Sequence, residues 1–169
     1  LLCGGRSRLA DPTPVVAGPL MKRCYWIAIA VVLMDQISKA WAVDHLAGVG
    51  VRPLLPGLLQ LQLVFNSGAA FSMLEGNANL LGVVSLAVAV GLVVWIQTSS
   101  PLDRWQAMGL GFLLGGAIGN GIDRWRLGRV VDFLEFVPIS FPIFNLADVA
   151  INLAVLCLAL SLFPAWRRH

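Results

Sequence analysis

Tyr25–Val43, YWIAIAVVLMDQISKAWAV, is apolar along almost its whole length and carries two charges, Asp35 and Lys39. A helix rises about 1.5 Å per residue, so about 20 mainly apolar residues cross the roughly 30 Å hydrocarbon layer of a membrane. This stretch therefore reads as a spanning helix. Its charges and the lack of a following small-residue cleavage site argue against a removable signal sequence. Three more stretches meet the same criterion: 78–97, 105–122 and 146–166. The expected architecture is a mainly α membrane protein of four transmembrane helices in a single domain over residues 21–169.

Composition agrees, with 58% hydrophobic and 12% charged residues among 169 and a mean hydropathy of +0.81, well outside the range of soluble domains. The net charge of +3 is not gathered into a basic stripe interleaved with aromatics, so no nucleic-acid partner is expected. Cys3, Cys24 and Cys157 have no metal-like spacing and imply neither a disulfide framework nor a metal site. Residues 1–20 contain Pro12, Pro14 and Pro19 with three glycines and are expected to form a disordered extension, Met21-Lys22-Arg23 reading as the native start.

Lys22, Arg23, Arg104, Arg167 and Arg168 flank the spans on one side, and Arg52, Arg124, Arg126 and Arg129 on the other. The positive-inside rule then puts both termini in the cytoplasm and residues 44–77 and 123–145 outside. The inner connection at 98–104 is short, so function is expected at the outer face. Leu59-Gln60-Leu61-Gln62-Leu63 alternates with the period of a half-buried strand, and 130–144 is rich in Val, Ile and Phe around Pro138 and Pro142. Together they predict a small β-rich region on the membrane surface.

In the third span Gly111, Gly115 and Gly119 make one smooth face for close helix packing. Gly116 and Asn120 share an adjacent face, from which Asn120 either points into a cavity or ties two helices together. Asp35 and Lys39, four residues apart, lie on one helix face and neutralise each other. They are either a helix-positioning ion pair or part of a proton pathway, and their mutual compensation favours the former. Asp123 and Arg124 read as boundary anchors, with Arg124 also able to hold backbone carbonyls through its planar fork.

Asp132 has no cation beside it in VVDFL, and Asp148 begins the fourth span three residues after Asn145, a natural N-cap. Two unpaired carboxylates thus belong to one outer boundary. The sequence lacks an HExxH helix, a GxSxG elbow and a GxGD motif, which removes the zinc, serine and GxGD routes to hydrolysis. Paired carboxyls remain: held close, they share one proton, and the ionised member activates water while the protonated one assists the carbonyl oxygen.

DQISK (35–39), NSGAAF (66–71), GGAIGNGIDR (115–124), VVDF (130–133) and NLAD (145–148) closely resemble, in order, the motifs of signal peptidase II, the lipoprotein signal peptidase family. The resemblance covers nearly everything from Met21 onward. It implies an aspartic endopeptidase with Asp132 and Asp148 as catalytic dyad, and Asn66, Gly116, Asn120, Arg124 and Asn145 lining or supporting the site. Asp35 and Lys39 are then structural, and no metal or cofactor is expected. The implied partners are prolipoproteins bearing a diacylglyceryl cysteine, membrane lipids and globomycin-like inhibitors, with the protein a monomer in the bacterial inner membrane. Two other classes compete: a small transporter using Asp35, Lys39 and the glycine face, and an assembly partner using that face alone.

Overall fold

In the computed structural model, residues 18–68, 78–99 and 102–163 are described. They form α1 (Pro19–Leu46), β1 (Arg52–Leu55), β2 (Leu59–Asn66), α2 (Ala78–Thr98), α3 (Arg104–Leu127), β3 (Val130–Phe136) and α4 (Leu146–Ser161). The four expected helices are present with shifted ends. α1 begins at Pro19, because proline's fixed φ suits the first helical position and its missing N–H costs nothing there. Pro19 and Leu20 therefore belong to the helix rather than to an extension, and residues 1–17 lie outside the described set. The fourth helix ends at Ser161, and residues 164–166 of the expected span also lie outside it.

α3 runs past the expected Ile122 to Leu127, so Asp123 and Arg124 are helical. It starts on a capping box in which Asp103 accepts from Trp105 N and Gln106 N, while Gln106 Oε1 accepts from Asp103 N. Gly128, at φ 66°, ends it in the left-handed conformation that a side chain resists, and turns the chain directly into β3.

α3 is the centre of the bundle, packing against α1, α2 and α4. The glycine face lets α1 come close: a Cβ on Gly115 would stand 2.6 Å from Val31 Cβ and 2.9 Å from Ala28 O, and one on Gly111 2.7 Å from Cys24 O. Around this seam Cys24, Ala28, Leu92, Ile96, Ala107, Leu110 and Leu114 form one buried cluster. The outward faces are apolar too, with Trp26, Leu33, Met34 and Ile37 of α1 and Val83, Val90, Val94 and Trp95 of α2 all exposed. Such a surface is suited to lipid rather than water. α1 and α2 each carry a stretch long and apolar enough to cross a membrane.

The alternation at 59–63 is the start of β2, which joins β1 and β3 in an antiparallel sheet of order β1-β2-β3. β1 had no separate signal in the sequence; Gly57 at φ 76° makes the turn that folds it onto β2. Leu61 and Phe133 pack with Ala42 and Leu46, seating the sheet on the end of α1. β2 slips register between Leu61 and Val64, so that Val64 pairs with Asp132 and Asn66 with Val130.

Gly115→Ala should destabilise the protein by about 1–3 kcal/mol through overpacking against α1. Gly91→Ala, where a Cβ meets nothing within 4 Å, should leave stability unchanged or raise it slightly. Thermal unfolding in detergent checks the pair, and equal melting of both variants would contradict the close α1–α3 approach.

Candidate active site

Asp132 stands in β3 and Asp148 in the first turn of α4, sixteen positions apart in sequence. Asn145 connects them. Its Nδ2 donates to Asp132 Oδ1 at 2.7 Å, and its Oδ1 accepts from Asp148 N at 3.0 Å. Its own backbone N donates to Asp148 Oδ2 at 3.2 Å, completing the capping box of α4. The N-cap expected from sequence thus also binds the second carboxylate.

Each of the four carboxylate oxygens receives a donor. Asn66 Nδ2 reaches Asp132 Oδ2 at 3.0 Å from the end of β2, and its Oδ1 accepts from Gly68 N at 2.9 Å. Asn120 Nδ2, from α3, reaches Asp148 Oδ1 at 2.8 Å. An ionised carboxylate offers about four acceptor sites, so capacity remains on both groups. Asn66, Asn120, Arg124, Asp132 and Asp148 line one side of a cavity of about 610 Å³. Val130, Phe141–Phe144 and the α4 residues Val149, Ile151, Asn152, Leu153 and Leu156 line the rest, giving a largely apolar chamber with convergent polar groups.

Arg124 is half-buried and lies within electrostatic reach of Asp148, Asp132 and Asp123, and its Nη1 donates to Ser85 Oγ of α2 at 3.4 Å. Gly116 is outside the cavity lining and has a supporting place: a Cβ there would stand 2.7 Å from Ala147 O, so its absence lets the start of α4 close on α3. Asn120, for which the sequence leaves two orientations open, both faces the cavity and ties α3 to α4. Residues 69–71 of the NSGAAF motif lie outside the described residues.

The expected Asp35–Lys39 pair forms at 2.8 Å but is not closed on itself. Lys39 Nζ also pairs with Asp123 Oδ2 at 2.9 Å and donates to Asn120 Oδ1 at 3.0 Å. Asp35 Oδ1 accepts from Ala147 N at 3.0 Å, holding the N-terminus of α4. Asp123, read from sequence as a boundary anchor, is 3% exposed and accepts from Val131 N beside Asp132. It lies four residues beyond Gly119, on the same face that packs against α1, and that periodicity was the available signal. Gln36 lies within the DQISK motif but is given no role from sequence, and it belongs to the cluster: its Nε2 donates to Asp35 Oδ2, Gly119 O and Asp123 Oδ1.

A helical bundle with an apolar outer surface and an acid-lined cavity is the architecture of a membrane enzyme. Two solved structures, each described as a bacterial membrane enzyme, share it. One matches with a TM-score of 0.76 at 28% identity over 83% of this chain and 87% of that one; the other has a TM-score of 0.76 at 27% identity over 85% and 94%.

The chain belongs to the signal peptidase II family: the family model described as signal peptidase (SPase) II matches residues 27–164. Relatives named lipoprotein signal peptidase include one from Parasynechococcus marenigrum (strain WH8102), 51% identical over 89% of this chain and 96% of the relative. Another, from Synechococcus sp. (strain RCC307), is 53% identical over 81% and 93%. Members of this family are proteases that cleave lipoprotein signal peptides, as the ordered motifs implied.

Burial pushes the Asp132 carboxyl up from 3.8 to about 6; the Asn66 hydrogen bond opposes this, Asp148 adds to it, and Asn145 and Lys39 oppose it. A raised folded pKa means that the native state holds the proton more tightly than the unfolded chain. The stability so gained is present in full below 3.8 and is lost as pH rises through about 6. The wild type should therefore lose melting temperature relative to Asp132→Asn across that window, and Asn66→Ala should extend the loss to higher pH. Melting curves in detergent at stepped pH test this; a flat difference between wild type and Asp132→Asn would contradict it.

Proposed function

We propose that this chain is an aspartic endopeptidase of the bacterial inner membrane. It cleaves diacylglyceryl-modified prolipoproteins on the N-terminal side of the lipidated cysteine, with Asp132 and Asp148 as the catalytic dyad. The observation that carries the reading is the placement of both carboxylates on one cavity, with Asn145 bonded to each. Two carboxyls on so small a frame disfavour double ionisation and keep one proton between them. The ionised member takes a proton from water, which attacks the scissile carbonyl carbon. The protonated member donates to the carbonyl oxygen, and the amine leaves with a proton as the tetrahedral intermediate collapses. Arg124 and Asn66 hold the extended substrate backbone against the pair. The chain's own side chains supply this chemistry without a cofactor.

All four helices cross the membrane in this reading. α3 is surrounded by the other three and so needs little apolar surface of its own, while the 16 residues of α4 span about 24 Å. Both termini are cytoplasmic, which puts the sheet and the cavity at the periplasmic face. The apolar wall from Phe141 to Leu156 suits the lipidated, hydrophobic substrate and cyclic-peptide inhibitors such as globomycin. The protein acts as a monomer, since one chain supplies every group named.

Asp132→Asn and Asp148→Asn should each lower signal-peptide release by about 10²–10⁴-fold or more, because the amide cannot accept the proton of water. Both variants should still insert and bind globomycin, and the double variant should be scarcely worse than either single one. The assay is release of signal peptide from a purified diacylglyceryl prolipoprotein in detergent, at matched folded protein. Substantial cleavage by either variant would defeat the carboxylate mechanism.

A further inference from the structure

The partners of Lys39 exceed what charge neutralisation requires. An ammonium has three protons and no lone pair, and those of Lys39 go to Asp35 Oδ2, Asp123 Oδ2 and Asn120 Oδ1. The last bond settles which way the Asn120 amide lies. Only an oxygen can face the ammonium, so Nδ2 must point the other way, to Asp148 Oδ1. Asn120 Oδ1 also accepts from Asn145 Nδ2 at 3.0 Å. Asn145 is oriented in turn by its oxygen, which accepts the Asp148 backbone N–H, so its Nδ2 faces Asp132 as well. Donors run outward from the buried cation through Asn120 to Asp148, while Asn145 Nδ2 donates both to Asn120 Oδ1 and to Asp132, and no member can rotate without losing a partner.

We propose that Lys39 is a positioning residue for the cleavage reaction: by donating to Asn120 Oδ1 it fixes the amide orientation that aims Asn120 Nδ2 at Asp148. It rests on the reading of Asp132 and Asp148 as the reacting pair. Without the ammonium, Asn120 Oδ1 is held only by Asn145 Nδ2, a donor it shares with Asp132 Oδ1, and the hold that keeps the amide oxygen from turning toward Asp148, acceptor against acceptor, is weakened. Among the described residues, the charged groups that act on Asp132 are Asp148 on α4, Lys39 on α1 and Arg124 on α3. Lys39 favours the ionised form of Asp132, so its loss also moves the acid limb of activity toward higher pH.

A merely structural ion cluster is separated from this role by charge counting. Asp35, Asp123 and Lys39 together carry a net −1, and Asp35→Asn with Lys39→Met leaves Asp123 alone, again −1. In that double variant the amide introduced in place of Asp35 still offers an oxygen to Ala147 N, and Asp123 keeps Gln36 Nε2 and Val131 N as donors. Asp123 thus loses one of three partners, whereas Asn120 Oδ1 loses one of two and is left with the shared Asn145 Nδ2.

The experiment measures kcat, KM and the pH profile for a diacylglyceryl prolipoprotein with wild type, Asp35→Asn/Lys39→Met, Asn120→Ala and the triple variant. The double variant and Asn120→Ala are each expected to lose about 100-fold in kcat with KM little changed. The triple variant should be little worse than either, since both cut the same chain. The acid limb of the double variant should move upward. Wild-type turnover and an unmoved acid limb in the folded double variant would overturn the proposal, as would losses that multiply in the triple variant. Should the double variant fail to accumulate, Asn120→Ala decides alone, because it leaves the Lys39 ion pairs in place: kcat within about two-fold of wild type would overturn the proposal. A wild type that does not cleave this substrate would overturn the proposed function instead.

Discussion

A buried ammonium is the constraint around which the interior is organised. Lys39 is 3% exposed and Asp35 fully buried, and neither charge is tolerable inside a bundle without partners. The charges are dissolved in protein groups taken from three helices: Asp35 and Gln36 on α1, Asp123 and Asn120 on α3, and Asn145 and Asp148 at the start of α4. The Lys39–Asp35 pair lies within α1, and the other bonds each fix one helix relative to another. Truncating a single member of such a buried cluster is more damaging than its own contact suggests, because a charge is left uncompensated.

Close backbone approach makes these bonds reachable. A side chain at Gly119 would collide with Asp35, 2.7 Å from where a Cβ would sit, and one at Gly116 with the first turn of α4. The same seams hold the helices of an apolar bundle together by packing, where hydrophobic burial offers little driving force in lipid. Packing and polar geometry therefore depend on the same small residues. At the other side of the site, the turn at Gly128 carries the chain from α3 into β3, and Asp123 anchors that strand through Val131 N. Asp132 is thereby tied to the helix that also carries Asn120.

Local chemistry in the sequence disclosed much of this. The Asn145–Asp148 cap follows from a three-residue spacing, the Asp35–Lys39 pair from helical periodicity, and β2 from strict alternation. Asp132 stands out because a carboxylate among apolar residues lacks a neighbouring cation. The long-range features were not legible. The reach of Lys39 to Asp123 and Asn120 depends on how α1 and α3 cross, and the pairing of Val64 with Asp132 depends on a register slip between Leu61 and Val64. The Phe141–Phe144 segment reads as strand or loop and is a wall of the cavity, bridged to β3 through Phe144. Asp123 is misread from sequence because its neighbour Arg124 offers a sufficient local partner, whereas its partners in space are Lys39, Gln36 and Val131.

The two aspartates hold their four oxygens by amide and backbone donors with acceptor capacity left over, an arrangement suited to binding a water rather than to attacking a carbonyl directly. The proposed mechanism accordingly has water attack without a covalent intermediate. Single-turnover cleavage of a diacylglyceryl prolipoprotein in ¹⁸O-water, with rapid acid quenching and intact-protein mass spectrometry, puts this to the test. The dyad mechanism predicts one ¹⁸O in the new carboxyl terminus of the signal peptide and the unmodified mass of the protein at every time point. A transient adduct of the protein with the mass of the signal peptide would contradict it.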